Sequence, residues 1–245
     1  MKFIHIADLH ANKNRLEYCI NALTQIRDYI FSHQLPGEKI PLLIAGDFWD
    51  NTITNTESSG FTKYLAAVKE IVDITDVYIV AGTAFHEPTG SSDVFESIGC
   101  TVFKECGYYH CDKYNIFAIP EPRKAEYSAK STKELNEAIL KDLRSDIDKI
   151  KELEKKYYAP VNILLYHGDI RGAVYDNSMI VPETTYAMPH DWLKELNMDY
   201  IACGHIHLPQ QIEKAGNCYY AGSVYPVNSG EHHDAGFNVV EIVEN

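Results

Sequence analysis

Carboxylates and imidazoles recur along this chain in short segments: Asp8-Leu9-His10, Gly46-Asp47-Phe48-Trp49-Asp50, Gly82 to Glu87, Tyr166-His167-Gly168 and Gly204-His205-Ile206-His207. Their order suits a site holding two cations about 3.5–4 Å apart, whose combined charge turns a shared water into hydroxide and stabilises an in-line displacement at phosphorus. Two ions so close need a bridging ligand, and a carboxylate can give one oxygen to each. Asp47, directly after a Gly at the end of the apolar run Leu42-Leu43-Ile44-Ala45, is positioned to bridge. Asp8 and His10 stand two apart at the end of Phe3-Ile4-His5-Ile6, so strand alternation would point both the same way. His205 and His207 repeat that spacing after Tyr200-Ile201-Ala202-Cys203. A mixed imidazole and carboxylate shell suits manganese, iron or zinc better than calcium, and spacing does not choose among those three.

Each motif alone arises often by chance and reads better as a turn or a solvated loop. Their joint placement carries the argument: each candidate ligand follows an apolar strand-like run, which is where open α/β sheets gather their ligands. Helical spacing over 14–34 (Leu16, Cys19, Ile20, Leu23, Ile26, Ile30) separates the first strand from a second at 39–45. Phe61, Tyr64, Leu65, Val68, Ile71 and Val72 mark another amphipathic helix leading into a strand at 77–81. Strands are expected at 101–103 and 114–119, with Pro120-Glu121-Pro122 ending the pairing. Ser131 and Glu134 form a capping-box pattern ahead of a long helix, and its mixed charges describe a solvated face. A strand at 161–166 delivers His167, a helix near 191–196 precedes the strand before His205, and segments at 218–221 and 237–243 are expected to complete a second sheet.

Composition narrows the class. A chain of 245 residues with 45% hydrophobic content can bury the core of one α/β domain, and no repeat or linker marks a second, so 1–245 is expected to be a single catalytic domain. No apolar stretch approaches the roughly 18 residues that span a bilayer, and no secretion signal precedes Phe3, so a cytoplasmic protein is expected. The six cysteines lack Cys-x-x-Cys spacing and read as reduced, packed thiols; only Cys106 and Cys111 lie close enough in sequence to suggest pairing under oxidising conditions. The net charge of −13 argues against tight autonomous binding of duplex nucleic acid, which normally needs a basic footprint.

At these motifs the chain resembles the calcineurin-like metallophosphoesterases, and within them the nuclease subunits of the Mre11/SbcD type. The opening Phe3 to His10, the segment Gly46-Asp47-Phe48-Trp49-Asp50-Asn51, and the late stretch from Tyr220-Ala221-Gly222-Ser223 through Gly230-Glu231 to Gly236-Phe237 carry the resemblance to that branch. It implies a four-layer α/β/β/α sandwich of two mixed sheets flanked by helices. It implies one metal held by Asp8, His10, Asp47 and His207, and another held by Asp47, His167 and His205. The family's third motif reads Gly-Asn-His-Asp or Gly-Asn-His-Glu, its Asn binding the second metal and its His serving the leaving group. Here Gly82-Thr83-Ala84-Phe85-His86-Glu87 departs: alignment on the Gly puts Thr83 in place of the Asn, and alignment on the His puts Phe85 there. His86 takes the leaving-group role by resemblance, Glu87 matches the last position, and Thr83 reads as a weak hydroxyl ligand, a neighbour of a water ligand, or a plain turn residue.

The resemblance further implies two divalent cations, with manganese expected and iron, zinc and magnesium left open. It implies DNA as substrate with 3′→5′ exonuclease and endonuclease activity in repair, recombination or end processing, an SMC-like ATPase partner of the Rad50/SbcC type, and allows a homodimer. The family's DNA-contacting cap and ATPase-binding helices are not visible before the chain stops soon after Val243, as expected of a catalytic core or a compact variant. Two rivals stand beside this: a phosphatase or small-molecule phosphodiesterase of the same superfamily, which the acidity favours, and a weakly catalytic scaffold for the ATPase. Among the other histidines, His5, His33, His110 and His190 read as structural or solvated, while His232 and His233 fall in a family loop near the site. Tyr175 and Tyr225 are faint candidates for stacking on a base.

Overall fold

The computed structural model describes residues 1–50, 59–176, 178–182, 185–228 and 230–243; Asn51, the last residue of the second motif, lies outside them. Strands and helices alternate first through β1 (Lys2–Ile6), α1 (Leu16–His33), β2 (Leu42–Ile44), α2 (Ser59–Val72), β3 (Val77–Val80), α3 (Asp93–Ser97) and β4 (Thr101–Phe103). The second half runs through β5 (Gly107–His110), β6 (Asn115–Ile119), α4 (Thr132–Lys156), β7 (Asn162–His167), α5 (His190–Leu193), β8 (Tyr200–Gly204), β9 (Gln210–Gln211), β10 (Cys218–Tyr220) and β11 (Asn238–Glu241). One sheet has the order β11-β1-β2-β3-β4 and the other β5-β6-β7-β8-β10-β9. Both are mixed: β11, β5 and β9 pair antiparallel at sheet edges, and the remaining pairs are parallel. The fold is the expected α/β architecture of two mixed sheets flanked by helices.

Burial explains the layering. On α1, Leu16, Cys19, Leu23, Ile26 and Ile30 repeat at three or four residues and are buried with Tyr64, Val68 and Ile71 of α2 against one sheet. Each buried Leu or Ile contributes about 1.5–3 kcal/mol over an exposed one. On α4, Ile139, Leu143, Ile147 and Ile150 do the same against the other sheet. Between the sheets lie Phe3, Leu43, Tyr78, Ile116, Ile163 and Tyr200, narrowing to Ala7, Ala45, Ala118 and Ala202. Small side chains let the sheets approach where the strands end. There Gly204 is required, because an added Cβ would stand 1.8 Å from the Ala45 carbonyl oxygen.

Several expectations are corrected. The 237–243 segment does not join the second sheet: β11 returns across the molecule to pair antiparallel with β1, Phe3 facing Val240. Hydrophobic pattern identifies a strand but not its partner. The expected strand at 39–45 shortens to β2, and the helix near 191–196 to one turn, α5. Strands β5 and β9 escaped notice because β5 is an edge strand of alternately half-buried and exposed residues and β9 has only two residues. The capping pattern is present in altered form: Ser131 Oγ accepts from the Glu134 N–H, while the Glu134 carboxylate accepts from the Lys130 N–H instead of from Ser131. All six cysteines are free. Among the described residues no helix is long and apolar enough to cross a membrane.

His5 is fully buried in β1, with Nδ1 3.1 Å from the Tyr200 hydroxyl and Nε2 3.2 Å from the Cys203 carbonyl oxygen. Burial holds its imidazole neutral, lowering its pKa from 6.5 to about 3 against the opposing pull of the Cys203 carbonyl. The unfolded chain therefore takes up this proton first: the stability is complete above pH 6.5 and is lost as pH falls toward 3, at up to about 1.4 kcal/mol per pH unit. Urea midpoints of the wild type and His5→Gln, measured between pH 7 and 4, are expected to show the shallower acid loss in the variant. Parallel losses would remove His5 as an acid-sensitive point of the core.

Candidate metal centre

The candidate ligands gather at the carboxyl ends of β1, β2, β7 and β8, where the two sheets meet. The loops after β1 and β2 are laced together: the Asp8 N–H donates to the Gly46 carbonyl (3.1 Å), and the His10 N–H to the Asp47 carbonyl (2.9 Å). Strand alternation is not what orients the side chains. Asp8, His10, Asp47 and His205 have φ of 54°, 43°, 52° and 98°, and Ser178 is the other non-glycine residue with positive φ among the described residues. Left-handed backbone costs a non-glycine residue roughly 1–2 kcal/mol and is kept where surrounding contacts enforce it. The motifs at Asp8-His10, Asp47 and His205 thus turn their side chains inward at left-handed bends, whereas His167 is carried by β7 itself.

The six candidate ligands fall into two groups of donors. Asp8, His10 and His207 form one, and Asp47, His167 and His205 the other; within each, the ligand atoms lie within 4.8 Å of one another. Asp47 stands between them. Its Oδ1 accepts from the Thr83 N–H (2.6 Å), and its Oδ2 lies 3.4 Å from His167 Nε2 and 3.9 Å from His10 Nε2. The structure therefore brings together all six residues that the sequence singled out, with one carboxylate oxygen turned to both groups.

The hydrogen bonds behind the imidazoles decide which nitrogen faces inward. His167 Nδ1 donates to the Ala45 carbonyl (2.6 Å), and His207 Nδ1 to Glu231 Oε1 (2.7 Å), so Nε2 is the nitrogen that faces the cluster and, in the neutral ring, carries the lone pair. His10 Nε2 and His207 Nε2 are 2.9 Å apart, and His10 Nδ1 is buried without a partner. Gly46, at φ 82°, permits the fit: a Cβ there would lie 2.2 Å from His167 Nδ1. Asp8 accepts the His205 N–H on both oxygens, at 3.0 and 3.1 Å.

Burial and proximity set the charges. Burial raises the Asp8 pKa against the pull of the His207 and His167 imidazoles. At Asp47 burial acts the same way, but His167, His10 and His86 reverse it and hold the carboxyl below the usual range. Burial would keep His167 neutral, yet Asp47 pushes its pKa up to about 10, whereas burial prevails at His10 and lowers it to about 3. A pocket that gathers two buried carboxylates and four imidazoles around shared space is matched to positive charge, and its oxygen and nitrogen donors fit divalent transition ions. The residues present fit the metals expected of them.

The third motif follows the alignment on its Gly. Thr83 Oγ1 lies 3.1 Å from Asp47 Oδ2, 3.3 Å from His167 Nε2 and 3.4 Å from His205 Nδ1, so its hydroxyl enters the second group. Phe85 is 68% exposed and contributes no donor there. Glu87 plays a different part. Its buried carboxylate accepts from the Phe48 N–H (2.5 Å) and the Gly82 N–H (2.7 Å), tying two loops together, and burial beside Asp47 pushes its pKa to about 7. His86 sits at the edge of the first group, its ring centre 4.5 Å from that of His10, and Asp50 Oδ1 lies 3.3 Å from His86 Nδ1 without hydrogen-bond alignment.

Asp50 and Glu231 escaped the sequence reading as functional residues. Asp50 had one signal, its place three residues after Asp47 in a segment already singled out. Arg15 and Asn12 both donate to Asp50 Oδ2, at 3.0 and 2.8 Å. His233 reaches the periphery, with Nδ1 3.8 Å from Asp176 and Nε2 3.5 Å from Ser223 Oγ, while His232 is exposed. The stacking roles for tyrosines are not supported by their contacts. Tyr225 is buried, donating to the Leu9 carbonyl, and Tyr175 donates to Asp169 Oδ2.

Fold and donor set together define a metal-dependent phosphoester hydrolase. The model of the calcineurin-like phosphoesterases matches residues 1–209, and the chain belongs to that family. It is also similar to the DNA double-strand break repair protein Mre11 of Methanopyrus kandleri, with 24% identity across 98% of this chain and 54% of that protein. The chain thus spans about half the length of the curated relative it matches.

A hydroxyl is a poorer ligand than the amide oxygen of the family's third motif, so the second group is expected to be the poorer host. Titration calorimetry with manganese is expected to show two ions binding with unequal affinity, and Thr83→Asn to tighten the weaker event alone. Two equally tight sites in the wild type, or an unchanged weaker event in Thr83→Asn, would show that Thr83 does not limit the second site.

Proposed function

We propose that this protein is a two-metal phosphodiesterase acting on DNA. The observation that carries the reading is Asp47 Oδ2 facing both donor groups, with His86 beside them. Asp8, His10, Asp47 and His207 would hold one cation, and Asp47, His167 and His205, with the Thr83 hydroxyl, the other; manganese suits this mixed shell. Such cations supply a water of lowered pKa and charge stabilisation at phosphorus. The chain's own residues supply the rest. His86 keeps Nδ1 toward Asp50, which leaves Nε2 to carry a proton toward the departing oxygen. Arg15 and Asn12 fix Asp50 in turn.

Similarity to an Mre11 protein supports nuclease chemistry and DNA repair, with a Rad50/SbcC-like ATPase providing grip that an acidic chain lacks. The same acidity favours one rival, cleavage of small phosphodiesters. Labelled single- and double-stranded DNA and bis(p-nitrophenyl) phosphate, each incubated with the protein and manganese, separate the two. DNA cleavage is expected; hydrolysis of the small diester alone would transfer the protein to the rival class. In the same assays Asp47→Asn is expected to lose activity and occupancy of both sites. His86→Ala is expected to keep its metal while turnover falls roughly 10²–10⁴-fold. Metal loss in the His86 variant would make it a ligand rather than a proton carrier.

A further inference from the structure

The loop that follows β10 converges on one buried carboxylate. Glu231 is 7% exposed and accepts four hydrogen bonds. Its Oε1 takes His207 Nδ1–H at 2.7 Å and Asn228 Nδ2 at 3.2 Å. Its Oε2 takes the Val227 N–H at 2.7 Å and the Ser223 hydroxyl at 3.2 Å. A carboxylate offers about four lone-pair sites, so these donors saturate it. Because an ionised carboxylate only accepts, the proton between Glu231 and His207 resides on Nδ1. The His207 Nε2 lone pair is then committed to the side where His10 Nε2 lies 2.9 Å away.

We propose that Glu231 is a positioning residue for the first cation: it fixes the tautomer and ring direction of His207, and Ser223, Val227 and Asn228 hold it there. The inference rests on the metal-centre reading. Imidazoles that bind metals are commonly backed by such a carboxylate, and its loss typically weakens affinity by 10–100-fold. Glu231 comes 24 positions after His207 in sequence, and only the fold of the loop brings the two together.

Glu231→Gln tests it. An amide has one accepting oxygen, so the substituted side chain either turns its NH₂ toward His207 Nδ1–H or leaves the Val227 N–H and Ser223 hydroxyl without an acceptor. Manganese calorimetry is expected to show one binding event weakened by roughly 10–100-fold and the other as in the wild type. Asn228→Ala removes one donor of four from the same carboxylate and leaves the His207 contact in place, so its loss of manganese affinity is expected to be smaller than that of Glu231→Gln. Wild-type affinities in Glu231→Gln, or an equal loss in Asn228→Ala, would overturn the positioning role.

Should Glu231→Gln fail to fold, ¹⁵N spectra of the histidines in zinc-loaded wild-type protein decide instead. They should show His207 protonated at Nδ1, and protonation at Nε2 would overturn the proposal. A wild type that binds neither ion would overturn the metal centre itself and this inference with it, an outcome distinct from unchanged affinity in the variant.

Discussion

The site depends on a single carboxylate oxygen. Asp47 Oδ1 is taken by the Thr83 N–H, and what remains, Oδ2, looks toward His10 on one side and His167 on the other. For that oxygen to serve two groups, the ends of two sheets must come within a side chain of each other. Gly204 against the Ala45 carbonyl and Gly46 against the His167 ring are the contacts where any Cβ would force them apart. The alanines at the narrow end of the inter-sheet core serve the same approach. Above them the backbone bends left-handed at four of the proposed ligands, a conformation that the loop-to-loop hydrogen bonds of Asp8 and His10 enforce.

That arrangement concentrates opposing electrostatics in a small volume. Burial acts against both carboxylates, and the imidazoles outweigh it at Asp47 but not at Asp8. His10 and His167 respond in opposite senses because Asp47 outweighs burial at one and not at the other. Further out, hydrogen bonds form a chain rather than separate contacts. Glu231 holds His207 and the Val227 N–H, the Val227 carbonyl accepts from Arg15 (2.8 Å), and Arg15 holds Asp50 opposite His86. The residues proposed to bind metal and the residue proposed to handle the leaving group therefore share one scaffold.

Much of this was legible in the sequence. The six proposed ligands could be read because each lies at or just past the end of an apolar strand, and that pattern survives in a linear reading. Strand alternation does not set the direction of Asp8 and His10, because the chain bends where the pleat would continue. The positions of most strands and the buried faces of α1 and α2 follow from spacing, but the pattern does not show that β11 pairs with β1, which lies at the opposite end of the chain. Glu231 illustrates the same limit: its partners at 207, 223 and 227 become neighbours only in three dimensions. Thr83 was ambiguous between two alignments, and the exposure of Phe85 with the contacts of Thr83 Oγ1 favours one of them.

The central claim is that Asp47 joins two cations into one centre. Electron paramagnetic resonance of the protein loaded with two equivalents of manganese tests it most directly, because ions sharing a carboxylate oxygen are exchange-coupled and separate ions are not. The account expects a coupled spectrum that appears only as the second equivalent is added. Two equivalents bound with the sharp hyperfine pattern of isolated ions would contradict it.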